Sequence, residues 1–208
     1  VECKDHTFYR YLGEIENIQK EKRADGWYCR LLVKQADGLK PKNVSDWSEI
    51  ISQGESKTVE FKRAAKWNEF HQKVDGNMIK QIVAEVAGFM NSDLEGKIFI
   101  GVEDETYKIV GIEEDLKAID KRKPNQDSYQ LYLSNSISKQ LGQDLAANYE
   151  IQFQTLQGKP VCCILVQPAH RIVYLDGDLY LRTNNQTNKL NAKAAIDFEK
   201  YRTKKLGL

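Results

Sequence analysis

One stretch, MIKQIVAEVAGFM at positions 78–90, constrains this chain more than any other. Apolar side chains at 78, 79, 82, 83, 86, 87, 89 and 90 follow the helical period and leave little of the circumference polar. Such a helix must be covered on most of its faces. Strand-forming runs stand on either side of it, TVEFKR at 58–63 and KIFIGVE at 97–103.

The remaining pattern extends this into a mixed α/β order. Residues 107–112 read as a hairpin partner for the 97–103 strand, followed by a short helix at 113–119 and a longer one at 128–141. Strands at 149–155 and 161–167 flank Gln157-Gly158-Lys159-Pro160, a hairpin signal. Short strands at 172–174 and 179–182 enclose the turn Asp176-Gly177-Asp178, and a helix at 192–201 closes the chain. Several hairpins in one sheet argue against an all-parallel doubly wound architecture. Upstream, Phe8, Tyr9, Leu12, Ile15 and Ile18 have helical spacing, which predicts an amphipathic helix over 7–20. The polar turn Arg23-Ala24-Asp25-Gly26 and a β-prone run at 27–34 follow, then a linker from Asp37-Gly38 to Pro41. Ser45-Asp46 can cap a short helix through Ile51 that Gly54 ends. The expected division is an extension at 1–44 and a main domain at 45–208.

Charge sets a limit on partners. The 208 residues hold 31 Lys and Arg against 30 Asp and Glu, so the chain lacks the bulk basic excess of a dedicated polyanion binder, and such binding would need a local patch. Residues 57–73 offer one: Lys57, Lys62, Arg63, Lys66 and Lys73 stand against Glu60 and Glu69, while 103–115 is strongly acidic. None of the four cysteines forms a C-x-x-C pair, no signal peptide opens the sequence, and no run approaches the roughly 18 apolar residues of a membrane span. The expectation is a reduced, cytoplasmic setting. The first residue is not Met, which suggests a piece of a longer polypeptide.

Two segments could carry chemistry. In Glu55-Ser56-Lys57-Thr58-Val59-Glu60-Phe61-Lys62, Glu60 and Lys62 lie two apart on a strand and share a face, and Glu55 arrives from the preceding turn. Metal-dependent phosphodiester cleavage uses such a set, with carboxylates holding Mg²⁺ or Mn²⁺ and a lysine supporting the charged transition state. A Glu-x-Lys triplet is equally a surface ion pair. The second segment ends the 97–103 strand with Glu103-Asp104, carboxylates that could meet Glu60 across a sheet. Among the cations of 57–73 stand Trp67, Phe70 and His71, which either track phosphates and stack on a base or form a solvated loop.

Taken in order, Glu-Ser-x-x-Val-Glu-Phe-Lys at 55–62, Phe89-Met90-Asn91-Ser92, Ile98-Phe99-Ile100-Gly101-Val102-Glu103-Asp104, Ile109-Val110-Gly111-Ile112 and Leu179-Tyr180-Leu181-Arg182-Thr183-Asn184-Asn185-Gln186-Thr187 resemble the Schlafen AlbA-type domain family over about residues 47–202. The resemblance implies an α/β domain with a mixed sheet, often a module of a larger bacterial protein, that binds RNA or DNA. It also implies a catalytic option, because some vertebrate members are endoribonucleases using three carboxylates and a divalent metal. Glu55 and Glu60 match two of them, Lys62 stands beside them, and Glu103 or Asp104 matches the third. On that reading Mg²⁺ or Mn²⁺ is the cofactor, and Lys57, Arg63, Lys66, Lys73 and Arg182 contact nucleic acid. The alternative is a non-catalytic DNA-binding or regulatory module of a transcriptional or ATPase-fused defence protein, and a homo-oligomer is compatible with either. The chain departs from the family at Asn91-Ser92-Asp93-Leu94-Glu95-Gly96, where Asn-Thr-x-Gly-Gly is usual.

Overall fold

The computed structural model describes residues 14–23, 26–34 and 46–207, and the chain divides into two compact units, 1–50 and 51–208. In the first unit, strands β1 (Glu14–Arg23) and β2 (Gly26–Lys34) form an antiparallel hairpin closed by the Arg23–Gly26 pair. The β-prone run at 27–34 is therefore a strand, but the helix expected over 7–20 is not formed in its described part, 14–20. A bulge explains the misleading spacing. The register shifts between Ile15 and Asn17, so Ile15 pairs with Val33 and Ile18 with Leu31, two ladder steps apart although three residues separate them. A three-residue apolar interval then suits a strand as well as a helix. Residues 7–13 and the linker at 37–41 lie outside the described residues. Helix α1 (Trp47–Ser52) follows, with Asp46 Oδ1 accepting the Ser48 N–H at 3.1 Å as its cap, and Gly54 takes a left-handed φ of 80° beyond it.

The second unit holds β3 (Val59–Lys62), a small hairpin of β4 (Trp67–Asn68) and β5 (Lys73–Val74), helix α2 (Gly76–Met90) and β6 (Gly96–Ile100). Then come α3 (Glu113–Ile119), α4 (Gln126–Leu141), a 3₁₀ turn at Gln143–Asn148, β7 (Tyr149–Leu156) and β8 (Lys159–Val166). The chain ends with β9 (Tyr174–Leu175), β10 (Asp178–Thr183), β11 (Gln186–Lys189) and α5 (Ala192–Leu206). The main sheet has the order β3-β6-β8-β7, with β3 parallel to β6 and the other neighbours antiparallel. This is the mixed α/β sheet that the pattern implies. The α2 crossover makes the parallel pair possible, since parallel neighbours cannot be joined by a tight turn.

The core lies where α2 meets the sheet. Ile82, Val83, Val86, Phe89 and Met90 join Ile98, Ile100, Cys162 and Ile164 with Tyr129, Leu133 and Ile137 of α4 in one buried cluster. On the other sheet face Phe61 and Phe99 are buried with ring centroids 6.1 Å apart, and the exposed Tyr107 lies 5.7 Å from Phe61 at the rim. Residues 107–112 do not form the expected hairpin strand. Only a Val102–Ile109 bridge survives, because Gly101 turns the chain with a φ of 98° and its carbonyl takes both the Val110 and Gly111 N–H groups. A second sheet, β11-β10-β9, packs on α2. Its approach is close: a Cβ at Gly88 would lie 2.5 Å from Thr187.

Gly96 opens β6 under the Phe89 ring, where a Cβ would lie 2.2 Å from Cδ1. Phe89 is fully enclosed and Gly96 is buried, so the ring has little room to give way. Gly96→Ala is expected to cost about 1–3 kcal/mol through overpacking, read as a lower urea midpoint at unchanged m.

Candidate functional site

Strand β3 and the turn before it carry Glu55, Lys57, Glu60 and Lys62 of the sequence-derived candidates. Glu60 and Lys62 do share a face of β3, and they meet: the Lys62 ammonium donates to Glu60 Oε1. Two residues that the motif did not single out complete the group. Glu85 of α2 accepts from Lys62 at 3.4 Å, and Arg182 of β10 donates to Glu60 Oε2 and approaches Glu85 Oε2 at 3.3 Å. The other terminal nitrogen of Arg182 donates to the Ser56 and Val59 carbonyls at 2.7 and 3.0 Å, and its guanidinium lies 4.9 Å from the Phe89 ring centroid. Glu55 accepts the Phe61 N–H at 2.9 Å. Burial raises the Glu55 carboxyl above its usual range, the Phe61 hydrogen bond opposes this, and the nearby Glu60 charge adds to it. For Lys62, burial works against the ammonium, yet Glu85 and Glu60 hold its pKa above the usual lysine value.

The strand-end carboxylates go elsewhere. Glu103 accepts from Arg63 through one oxygen and from the Thr106 hydroxyl through the other, and Arg63 also binds Glu69. Asp104 is exposed and caps the Glu105 N–H at 3.0 Å. Among the described residues no three His, Cys, Asp or Glu side chains gather as a metal-holding group. The three-carboxylate arrangement expected from Glu55, Glu60 and Glu103 or Asp104 does not fit a shared Mg²⁺ or Mn²⁺ here. Both oxygens of Glu60 already face cations.

The basic candidates divide in the same way. Arg182 was expected on the nucleic-acid surface, but its side chain is only 2% exposed, because a strand position facing two carboxylates and two carbonyls draws it inward. Arg63 is spent on Glu69 and Glu103, and Lys66 lies 4.8 Å above the Tyr132 ring. Lys57 and Lys73 are exposed and form no salt bridge among the described residues.

Residues 67–74, read from sequence only as a basic segment with aromatics, form the β4–β5 hairpin, with Trp67 opposite Val74 and Asn68 opposite Lys73. Phe70 at its end is 81% exposed, beside exposed His71, and the Arg63 guanidinium lies 5.6 Å from the Phe70 ring centroid. Asp115 of α3 anchors the strand that leads into it. Its carboxylate accepts N–H groups of Ala65, Lys66 and Trp67 at 2.6, 3.0 and 2.6 Å and the Tyr129 hydroxyl at 2.9 Å. Asp115 is 1% exposed, and burial pushes its pKa up although all four hydrogen bonds favour the charged form. A signal for it existed: Asp115 lies on the apolar stripe Ile112, Leu116, Ile119.

The family model described as Schlafen, AlbA_2 matches residues 55–191. Among solved structures, the DIP2311 protein from Corynebacterium diphtheriae is similar in fold, with a TM-score of 0.50 and 18% identity over 71% of this chain. The match spans 27% of that protein's length. No curated protein matches the sequence. Among the described residues, no helix is long and apolar enough to cross a membrane.

Two expectations follow from the ion-pair group and from Asp115. Arg182→Met leaves Glu60 buried beside a single cation and is expected to cost about 3–5 kcal/mol in urea unfolding, of which Glu60→Gln in the same chain restores a part. For Asp115 the folded pKa lies above the ordinary 3.8, so its share of stability is full below 3.8 and is lost as pH rises through the folded value. Urea midpoints measured across that window should show this falling component in the parent chain and lack it in Asp115→Asn.

Proposed function

The chain belongs to the Schlafen AlbA_2 family, and from that premise we propose that it is a nucleic-acid-binding module of a longer polypeptide. The observation that supports this reading is the β4–β5 hairpin. It holds a large aromatic ring, Phe70, out of the core, with Lys66 at its base and Lys73 on its second strand. A phenylalanine ring held in solvent among cations is available to a base, which offers a flat face to stack on while lysines meet the flanking phosphates. Asp115 serves this arrangement by fixing the backbone at Ala65, Lys66 and Trp67, so the hairpin leaves the domain at a set angle. Glu60 and Lys62 act in this reading as members of the ion-pair group that joins β3, α2 and β10, and not as metal ligand and catalytic cation.

Fluorescence anisotropy with labelled single-stranded RNA, single-stranded DNA and duplex DNA tests the proposal. Binding is expected to weaken steeply between 50 and 200 mM salt, as about one counterion is released per phosphate contacted. Phe70→Ala should weaken single-strand binding about tenfold, the loss of roughly one stacked base, with an unchanged circular dichroism spectrum. Binding that ignores salt, or that ignores Phe70→Ala, overturns it. Incubation with tRNA and Mn²⁺ is expected to leave the RNA intact, and cleavage abolished by Glu60→Ala would restore the nuclease reading.

A further inference from the structure

A second surface feature stands apart from the hairpin. The turn after α2, the end of β10 and the face of α5 enclose a cavity of about 310 Å³. That is at the lower end of the range of small-molecule sites, about 300–1,000 Å³. Its wall combines two chemistries. Leu94, Phe198 and Tyr201 give it an apolar and aromatic side, while Lys57, Arg182 and Arg202 bring three cations to the same space together with one carboxylate, Asp93, which is paired to Arg202 and Lys205. Lys57 is exposed and carries no salt bridge among the described residues.

The two arginines are unusual for lining residues. Their side chains are 2% and 4% exposed, and each keeps a buried Nε with no hydrogen-bond partner. Buried polar groups are nearly always satisfied, so an unmet donor on each of two guanidiniums beside one cavity calls for an explanation. Arg182 is otherwise held by Glu60, Glu85 and two carbonyls, and Arg202 by Asp93 at 2.7 Å and the Ala169 carbonyl at 3.2 Å. Tyr201 is 56% exposed and Leu94 50%, so the apolar side is open to a ligand and is not packed away.

We propose that this cavity binds a nucleoside monophosphate unit, its base against Tyr201 and Phe198 and its phosphate against Lys57, the one of the three lining cations that carries no carboxylate partner among the described residues. A purely apolar ligand would bring low-dielectric surface against charged guanidiniums, which is costly. A bare inorganic anion would leave the aromatic and leucine wall unused. A nucleotide satisfies both, through stacking on an aromatic face and charge-assisted contact with the phosphate. The unit can come from a free nucleotide or from a strand. The site does not rest on the hairpin reading.

Isothermal titration of the full chain with AMP, adenosine and inorganic phosphate tests it. AMP is expected to bind with saturation, with adenosine and phosphate each at least about tenfold weaker. Tyr201→Ala and Lys57→Glu, both at exposed positions, should each weaken AMP about tenfold without lowering the melting temperature. Phe70→Ala, which tests the hairpin, should leave AMP affinity unchanged. Absence of saturation at millimolar AMP, equal affinity for adenosine and AMP, or insensitivity to both cavity variants overturns the proposal, as does loss of AMP binding in Phe70→Ala alone. A six-nucleotide single-stranded RNA that displaces AMP supports the site and assigns it to a strand. Failure to displace AMP that still binds with saturation supports it as a site for the free nucleotide.

Discussion

The buried guanidinium of Arg182 is the constraint around which the second unit is organised. It belongs to the closing sheet, yet its partners are Glu60 on β3, Glu85 on α2, and the Ser56 and Val59 carbonyls that lead into β3. A charge taken out of water needs near-complete compensation, and four acceptors from three elements provide it. The same requirement fixes where β10 can sit on α2. Close packing at Gly88 then becomes possible, because the strand pair is already aligned. Lys62 joins on the other side of Glu60, so two cations and two carboxylates share one enclosed site.

Asp115 plays a corresponding part at the other end of β3. Three successive backbone N–H groups converge on one carboxylate, a geometry that holds the chain between β3 and β4 in a single conformation. Local hydrogen bonding continues into the hairpin, where Asn68 accepts the His71 N–H at 3.1 Å and the Asp75 N–H returns to the Lys66 carbonyl at 2.9 Å. A short two-stranded ribbon has little stability of its own. Here its root is tied to the core through Asp115 and Tyr129, while Phe70 at its end stands out in solvent.

How much of this was legible in the sequence depended on whether the signal was local. Period and turn chemistry located α2, α3, α4, β3, β6, β7 and β8, since each is written in spacings of a few residues. The β1 strand was misread because a bulge converts a strand's even spacing into an odd one. The 107–112 segment was misread because Gly101 breaks the ladder that its apolar residues suggest. At the candidate site, the Glu60–Lys62 contact was readable from the pleat of a strand. The destinations of Glu103, Arg63 and Arg182 were not, because each is settled by a charge from another element.

The sequence by itself determined most elements of the second unit, their order, the mixed sheet and the family, since periodicity and a string of short motifs need no knowledge of distant neighbours. Only the tertiary structure decided which charges pair. Arg182 and Glu60 lie 122 residues apart, and nothing local distinguishes a strand arginine that reaches for a phosphate from one that turns inward. Desolvation decides between them: once β10 packs on α2 beside Glu60 and Glu85, the inward conformation is the one in which no charge is left uncompensated.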